Sequence, residues 1–127
     1  MMNKYNILIV DDIFTNRLLL KEILGGISEK LIEAKNGKDA LEIIKHNLID
    51  IVLMDIEMPV MNGIETARYI RNNFPEPNNR IPIIAITAHN PDDFFNDYNI
   101  AGFDELLTKP YSFEKVKGAI KKAKFIR

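Results

Sequence analysis

The chain has no cysteine and no tryptophan, and only two histidines among its 127 residues. Without cysteine there is no disulfide framework and no thiolate metal site, and a reducing, cytoplasmic setting is the plain expectation. No apolar run approaches the ~20 residues that a bilayer span requires. The opening Met1-Met2-Asn3-Lys4 lacks the apolar core of a signal peptide. An excess of either charge is also missing: 17 Lys and Arg face 18 Asp and Glu, a formal charge of −1. Neither nucleic acid nor an anionic membrane is therefore expected as a direct partner.

What is present is ordinary in bulk, with a hydrophobic fraction of 46% and a charged fraction of 28%. A single domain over residues 1–127 is long enough to bury roughly two thirds of its unfolded surface. The informative stretch is Asp50-Ile51-Val52-Leu53-Met54-Asp55, an apolar run closed by a carboxylate just before Met58-Pro59 and the Asn62-Gly63 turn. Such a run reads as a strand buried on both faces, as inside a parallel sheet. Asp55 then stands at the carboxyl end of the strand, where open α/β sheets place ligands.

The same pattern recurs along the chain. Tyr5 to Val10 is a strand ending in Asp11-Asp12, and Thr15 reads as the N-cap of a helix running through Leu24. At least one of Leu18, Leu19 and Leu20 must face solvent or a partner. Lys30 to Ala34 is a short strand, followed by a helix from Asn36-Gly37 to near Asn47 with Ala40, Leu41 and Ile44 as its stripe. A helix from about Ile64 to Asn73 carries Ile64, Ala67, Ile70 and Phe74 on one face. Pro75 to Asn79 is a loop by composition. Pro82 to Thr87 is another buried strand, Pro91 to Ala101 a weak helix holding Phe94, Phe95 and Tyr98, and Glu105 to Thr108 a fifth strand before Lys109-Pro110. Ser112 caps a last helix with Phe113, Val116, Ile120 and Ala123 as its stripe, and Lys117, Lys121, Lys122 and Lys124 read as its solvated side. Strand and helix alternate without an internal repeat, which implies a three-layer α/β fold with a parallel sheet.

In a parallel sheet the carboxyl ends share one edge, so Asp11, Asp12, Asp55, Thr87 and Lys109 are expected together. Carboxylates at ~5 Å and an effective dielectric of ~20 repel by about 3 kcal/mol per pair before screening. A hard divalent cation is the simplest relief, and oxygen-only ligands favour Mg²⁺ over zinc. A metal-bound carboxylate facing a lysine and a hydroxyl suits a phosphoryl group. Lys109 would neutralise its oxygens, Thr87 would donate a hydrogen bond and Asp55 would attack in line. His46 and His89 are too far apart in sequence to suggest a metal site; His46 reads as a surface residue and His89 as a candidate for the pocket rim.

Ile9-Val10-Asp11-Asp12, Leu53-Met54-Asp55-Ile56-Glu57-Met58-Pro59 with Asn62-Gly63, Ile86-Thr87-Ala88 and Leu107-Thr108-Lys109-Pro110 together resemble the receiver domain of two-component response regulators. The likeness covers essentially the whole chain. Asn16-Arg17 and Met58-Pro59-Val60-Met61-Asn62-Gly63 resemble the receivers of hybrid histidine kinases. The resemblance implies a flavodoxin-like (βα)5 sandwich with strand order 2-1-3-4-5. It implies that Asp55 takes a phosphoryl group from the phosphohistidine of a histidine kinase or phosphotransfer protein. It further implies Mg²⁺ on Asp12 and Asp55, with Asp11 acting through water and Glu57 through its backbone carbonyl. Lys109 and the Ala88 backbone N–H would meet the phosphate, and Lys109-Pro110 would be cis. Two positions depart from the common pattern, Leu106 in place of an aromatic and Ile13 in place of a polar residue, and the first weakens the usual readout.

Other functions compete with this reading. A haloacid dehalogenase-type phosphatase shares the aspartate nucleophile but expects an aspartate where Glu57 stands, and a cap for which the chain lacks length. A phosphorylation-independent binding module would have no use for the full set of acids. The only enzymatic chemistry expected is self-phosphorylation and self-dephosphorylation, with output through an unidentified downstream protein.

Overall fold

The computed structural model describes residues 4–88 and 102–126. Its strands are β1 (Tyr5–Val10), β2 (Ser28–Ala34), β3 (Ile51–Asp55), β4 (Ile83–Thr87) and β5 (Glu105–Thr108). They form one sheet in the order β2-β1-β3-β4-β5, and every pairing is parallel. The helices among the described residues are α1 (Phe14–Leu24), α2 (Gly37–His46), α3 (Gly63–Asn73) and α4 (Phe113–Ile126). A 3-10 turn at Asn78–Arg80 tightens the loop that follows α3. The three-layer α/β architecture and the strand order are those expected.

Alternation along the strands explains the unbroken apolar runs. Leu8, Val10, Val52, Met54, Ile83 and Ala85 point to one side and pack with Leu41 and Ile44 of α2 and Ala67 and Ile70 of α3. Ile7, Ile9, Ile51, Leu53, Ile84 and Ile86 point to the other and meet Leu20 and Leu24 of α1 and Val116 and Ile120 of α4. Each central strand is thus apolar on both faces because each face has its own helical layer. Of the three consecutive leucines in α1, Leu20 is buried while Leu18 and Leu19 are exposed.

Several expectations shift. Thr15 is not the cap of α1: the helix starts at Phe14 with extended Ile13 in the cap position and no side-chain cap. Asp11 orders the turn ahead of the helix instead: its Oδ1 accepts from the Ile13 N–H, and the Ile13 carbonyl accepts from the N–H groups of Asn16 and Arg17. The second strand reaches back to Ser28, since pairing with β1 continues past an irregularity at Tyr5. Pro82 lies just outside β4, its carbonyl accepting from Val52. Phe113 is exposed under the Lys117 ammonium, and Ala119 takes its place on the buried face of α4. Ser112 does cap α4, accepting from the Lys115 N–H, and α3 opens on a capping box between Asn62 and Glu65. The helix expected over Pro91 to Ala101, with Phe94, Phe95, Tyr98 and the preceding His89, lies outside the described residues.

At the sheet edge opposite Asp55, Arg71 of α3 ties the layers together. Its guanidinium donates to the carbonyls of Gly102, Asn79 and Ile81 and to Asp104 Oδ2 at 2.8–3.0 Å. Asp104 Oδ2 also accepts from the Ile83 N–H, which holds the start of β4. Gly102 has a positive φ of 95°, and a Cβ there would meet Arg71 Cγ at 2.7 Å, so only glycine lets the guanidinium in. The Asp104 side chain is 2% exposed, so losing Arg71 would leave a buried charge without its cation. Arg71→Met is expected to cost about 3 kcal/mol or more in urea unfolding. The exposed Arg80→Met, whose partner Glu76 is 3.8 Å away, should stay within about 0.5 kcal/mol.

Candidate functional site

Parallel register brings the candidate residues to one edge. Val10 pairs with Met54, Asp55 with Ile86, and Thr87 with Thr108, so Asp11, Asp55, Thr87 and Lys109 close neighbouring strands at the same level. One carboxylate oxygen from each of Asp11, Asp12 and Asp55 lies within 4.8 Å of the others. Asp11 and Asp55 are buried, whereas Asp12 is exposed at the mouth.

Each buried acid is held by the backbone that follows it. Asp11 Oδ1 accepts from the Ile13 N–H at 2.9 Å, and Asp55 Oδ1 accepts from the Glu57 N–H at 3.0 Å. The remaining oxygens face the cluster. Asp55 Oδ2 lies 3.6 Å from Lys109 Nζ, and Asp11 Oδ2 is buried without a hydrogen-bond partner. A buried, unpartnered carboxylate oxygen beside two further carboxylates is a ligand set that suits a hard cation. The loop after β3 is packed tightly from below: the Gly63 N–H donates to the Ile56 carbonyl, and a Cβ on Gly63 would collide with the Asp55 carbonyl oxygen. Glycine at the first position of α3 is thus required by the backbone at the end of β3.

The expected residues therefore converge: Asp11, Asp12, Asp55 and Lys109 share one cleft, and Thr87, buried at the end of β4, pairs in register with Thr108 immediately before Lys109. Ala88 follows Thr87 and is exposed, and the Lys109 N–H donates to the Thr87 carbonyl. The Lys109-Pro110 peptide is cis, as expected. His46 is on the surface at the end of α2, 3.5 Å from Glu42. Leu106 is half-buried against the core shared with α2 and α3.

Residues to which sequence reasoning assigned no role in the site also belong here. Tyr111, directly after the cis proline, is half-buried, and its phenol is pushed up to about 12 by burial and by the negative charges of Asp11 and Asp55. Its position two residues after Lys109 is the one signal that could have marked it. Arg17 is buried, donating to the Asp11 carbonyl at 2.8 Å and to Glu33 of β2 at 3.0 Å. Glu33, on the edge strand, is held below its ordinary pKa: burial pushes it up, and hydrogen bonds and charge from Arg17 and Lys21 outweigh that.

Burial dominates the electrostatics of Asp55. It pushes the carboxyl up to about 6, helped by Asp11 and Asp12 and opposed by the Glu57 N–H and the Lys109 charge. Between the ordinary carboxyl value and about 6 the native chain holds a proton that the unfolded chain has released, so stability falls as pH rises through that window. Two units correspond to about 3 kcal/mol, fully lost above the upper value. In chelator-treated buffer, Asp55→Asn is therefore expected to be more stable than the parent by about 2–3 kcal/mol at pH 8, the gap closing between pH 6 and pH 4. Urea unfolding across pH measures it; a gap independent of pH would contradict the burial of charge on Asp55.

Known proteins agree with this geometry. The family model described as the response regulator receiver domain matches residues 7–121. The aerobic respiration control sensor protein ArcB of Escherichia coli is 34% identical over 117 residues, covering 92% of this chain and 15% of that protein. The hybrid signal transduction histidine kinase A of Dictyostelium discoideum is 36% identical over 117 residues, covering 91% of this chain and 5% of that protein. The chain thus spans only a small part of either relative. Among solved structures, the receiver domain of sensor histidine kinase PA1611 from Pseudomonas aeruginosa, with magnesium coordinated in its active-site cleft, superposes with a TM-score of 0.83. It is 26% identical and covers 94% of this chain and 98% of that one. The chain belongs to the response regulator receiver domain family.

Proposed function

We propose that Asp55 is the phosphoacceptor, taking a phosphoryl group from a phosphohistidine on a histidine kinase or phosphotransfer protein and signalling through the resulting change in conformation. The observation that carries this reading is the buried Asp55 carboxylate with one oxygen tied to the Glu57 N–H and the other 3.6 Å from Lys109. An oxygen so held is oriented for in-line attack: its bond to phosphorus forms as the phosphorus–nitrogen bond to the donor imidazole breaks. The Lys109 ammonium then meets a phosphoryl oxygen in place of the free carboxylate. The Thr87 hydroxyl and the Ala88 N–H, at the end of the neighbouring strand, donate to the others.

Asp12 and Asp55 would hold Mg²⁺ directly, Asp11 through water, and the Glu57 carbonyl would complete the protein ligands. When bound, the cation supplies charge neutralisation on the phosphoryl oxygens. Support comes from the orphaned Asp11 Oδ2 and the crowding of the acids. Residues 1–127 act as one receiver unit, since both core layers run the length of the sheet. Among the described residues no helix is long and apolar enough to cross a membrane, in keeping with work in the cytoplasm. Leu106 already packs inward, so coupling from Asp55 to the β5–α4 side is weaker than with an aromatic there.

The test is labelling with acetyl phosphate or a phosphorylated histidine kinase in Mg²⁺, followed by intact-mass analysis. One phosphoryl adduct is expected, absent in Asp55→Asn and on chelation, with no turnover of small phosphomonoesters. Labelling that survives Asp55→Asn would overturn the assignment, and sustained phosphomonoester turnover would make the chain a phosphatase instead.

A further inference from the structure

A guanidinium buried to 6% exposure needs a full set of partners. Arg17 finds them on two different elements. Its Nε donates to Glu33 Oε1 on β2 at 3.0 Å, and its Nη1 donates to the backbone carbonyl of Asp11 at 2.8 Å. The Phe14 ring lies 5.7 Å from the guanidinium, and Lys21 Nζ holds the second Glu33 oxygen at 3.2 Å. The planar fork of arginine serves the two acceptors from two different nitrogens held in one rigid plane, whereas lysine would have to reach both from a single nitrogen on a flexible stem.

The carbonyl that Arg17 grips belongs to the peptide joining Asp11 to Asp12. Asp11 is also fastened through its N–H to the Ala34 carbonyl at 3.1 Å and through Oδ1 to the Ile13 N–H at 2.9 Å. With those bonds in place, the Arg17 contact removes the remaining rotation of the Asp11–Asp12 peptide, and so sets the direction in which the exposed Asp12 carboxylate leaves the backbone. A flipped peptide would turn that carboxylate away from Asp11 and Asp55 and break the cluster.

We infer that Arg17 is a positioning residue for the acidic cleft: braced by Glu33 on the edge strand, it locks the Asp11–Asp12 peptide so that the Asp12 carboxylate is aimed for cation binding. The inference rests on the phosphoacceptor reading of the same cleft. It also gives β2, which contributes no ligand of its own, a hold on the metal site through Glu33. A contact that orients a ligand without touching the metal typically matters by about 10–100-fold in affinity.

The experiment is calorimetric titration of Mg²⁺ alone into the full chain, with amide NMR shifts at residues 11–13 and the metal-free melting temperature recorded beside it. Arg17→Lys keeps the charge and a link to Glu33 but loses the fork; its Mg²⁺ affinity is expected to fall about tenfold, with the metal-free amide of Asp12 displaced. Glu33→Gln, which leaves Arg17 present but loosens its brace, should fall in the same direction by less. Lys21→Met, at the outer end of the network, should bind as the parent does. A plain structural clamp between α1 and β2 would lower the melting temperature and leave Mg²⁺ affinity unchanged, and that result in Arg17→Lys overturns the inference while the cleft reading stands. If Arg17→Lys fails to fold, Glu33→Gln decides by the same criterion. A parent chain that binds no Mg²⁺ overturns the cation reading of the cleft itself, and the inference with it.

Discussion

Three carboxylates with oxygens inside 4.8 Å of one another, two of them buried, are the constraint around which this structure is built. In isolation such a cluster opposes folding, because each charge loses water and gains a repelling neighbour. The backbone N–H groups of Ile13 and Glu57 and the Lys109 ammonium offset part of that opposition, and the raised titration of Asp55 is what remains. The unresolved repulsion is the useful part. A cation that enters the cleft relieves that repulsion, and its binding to the folded chain therefore stabilises the fold.

Holding repelling groups together requires a rigid frame, and the frame is the two-sided core. Side chains of β1, β3 and β4 alternate into separate helical layers, so no strand end can slide without unpacking both. The far edge is locked by Arg71 and Asp104, and the near edge by the contact of Gly63 with the Asp55 backbone. Arg17 adds a lateral tie from the acidic turn to β2. The cleft is crowded electrostatically while its backbone is firmly held.

The parts legible in the sequence were those set by short-range pattern. Apolar runs ending in Asp11, Asp55 and Thr87 disclosed buried strands whose ends meet at one sheet edge, because period and polarity change at the same residue. What escaped depends on contacts between distant segments. Arg17 looks like any helical arginine until β2 brings Glu33 beside it, and Tyr111 gains its setting only when β5 delivers it next to Asp11 and Asp55. Thr15 was a reasonable cap, but α1 begins one residue earlier with Ile13 in the cap position, and Phe113 matched a helical stripe that Ala119 in fact occupies.

The cleft's central role is tested most directly by a crystal structure of the chain with Mg²⁺ and beryllofluoride, a phosphoryl mimic. The expected result is beryllium bonded to an Asp55 carboxylate oxygen, with Lys109 and Thr87 turned onto its fluorines and Mg²⁺ among the oxygens of Asp11, Asp12 and Asp55. Beryllofluoride on any other residue, or Mg²⁺ held away from those three carboxylates, would contradict it.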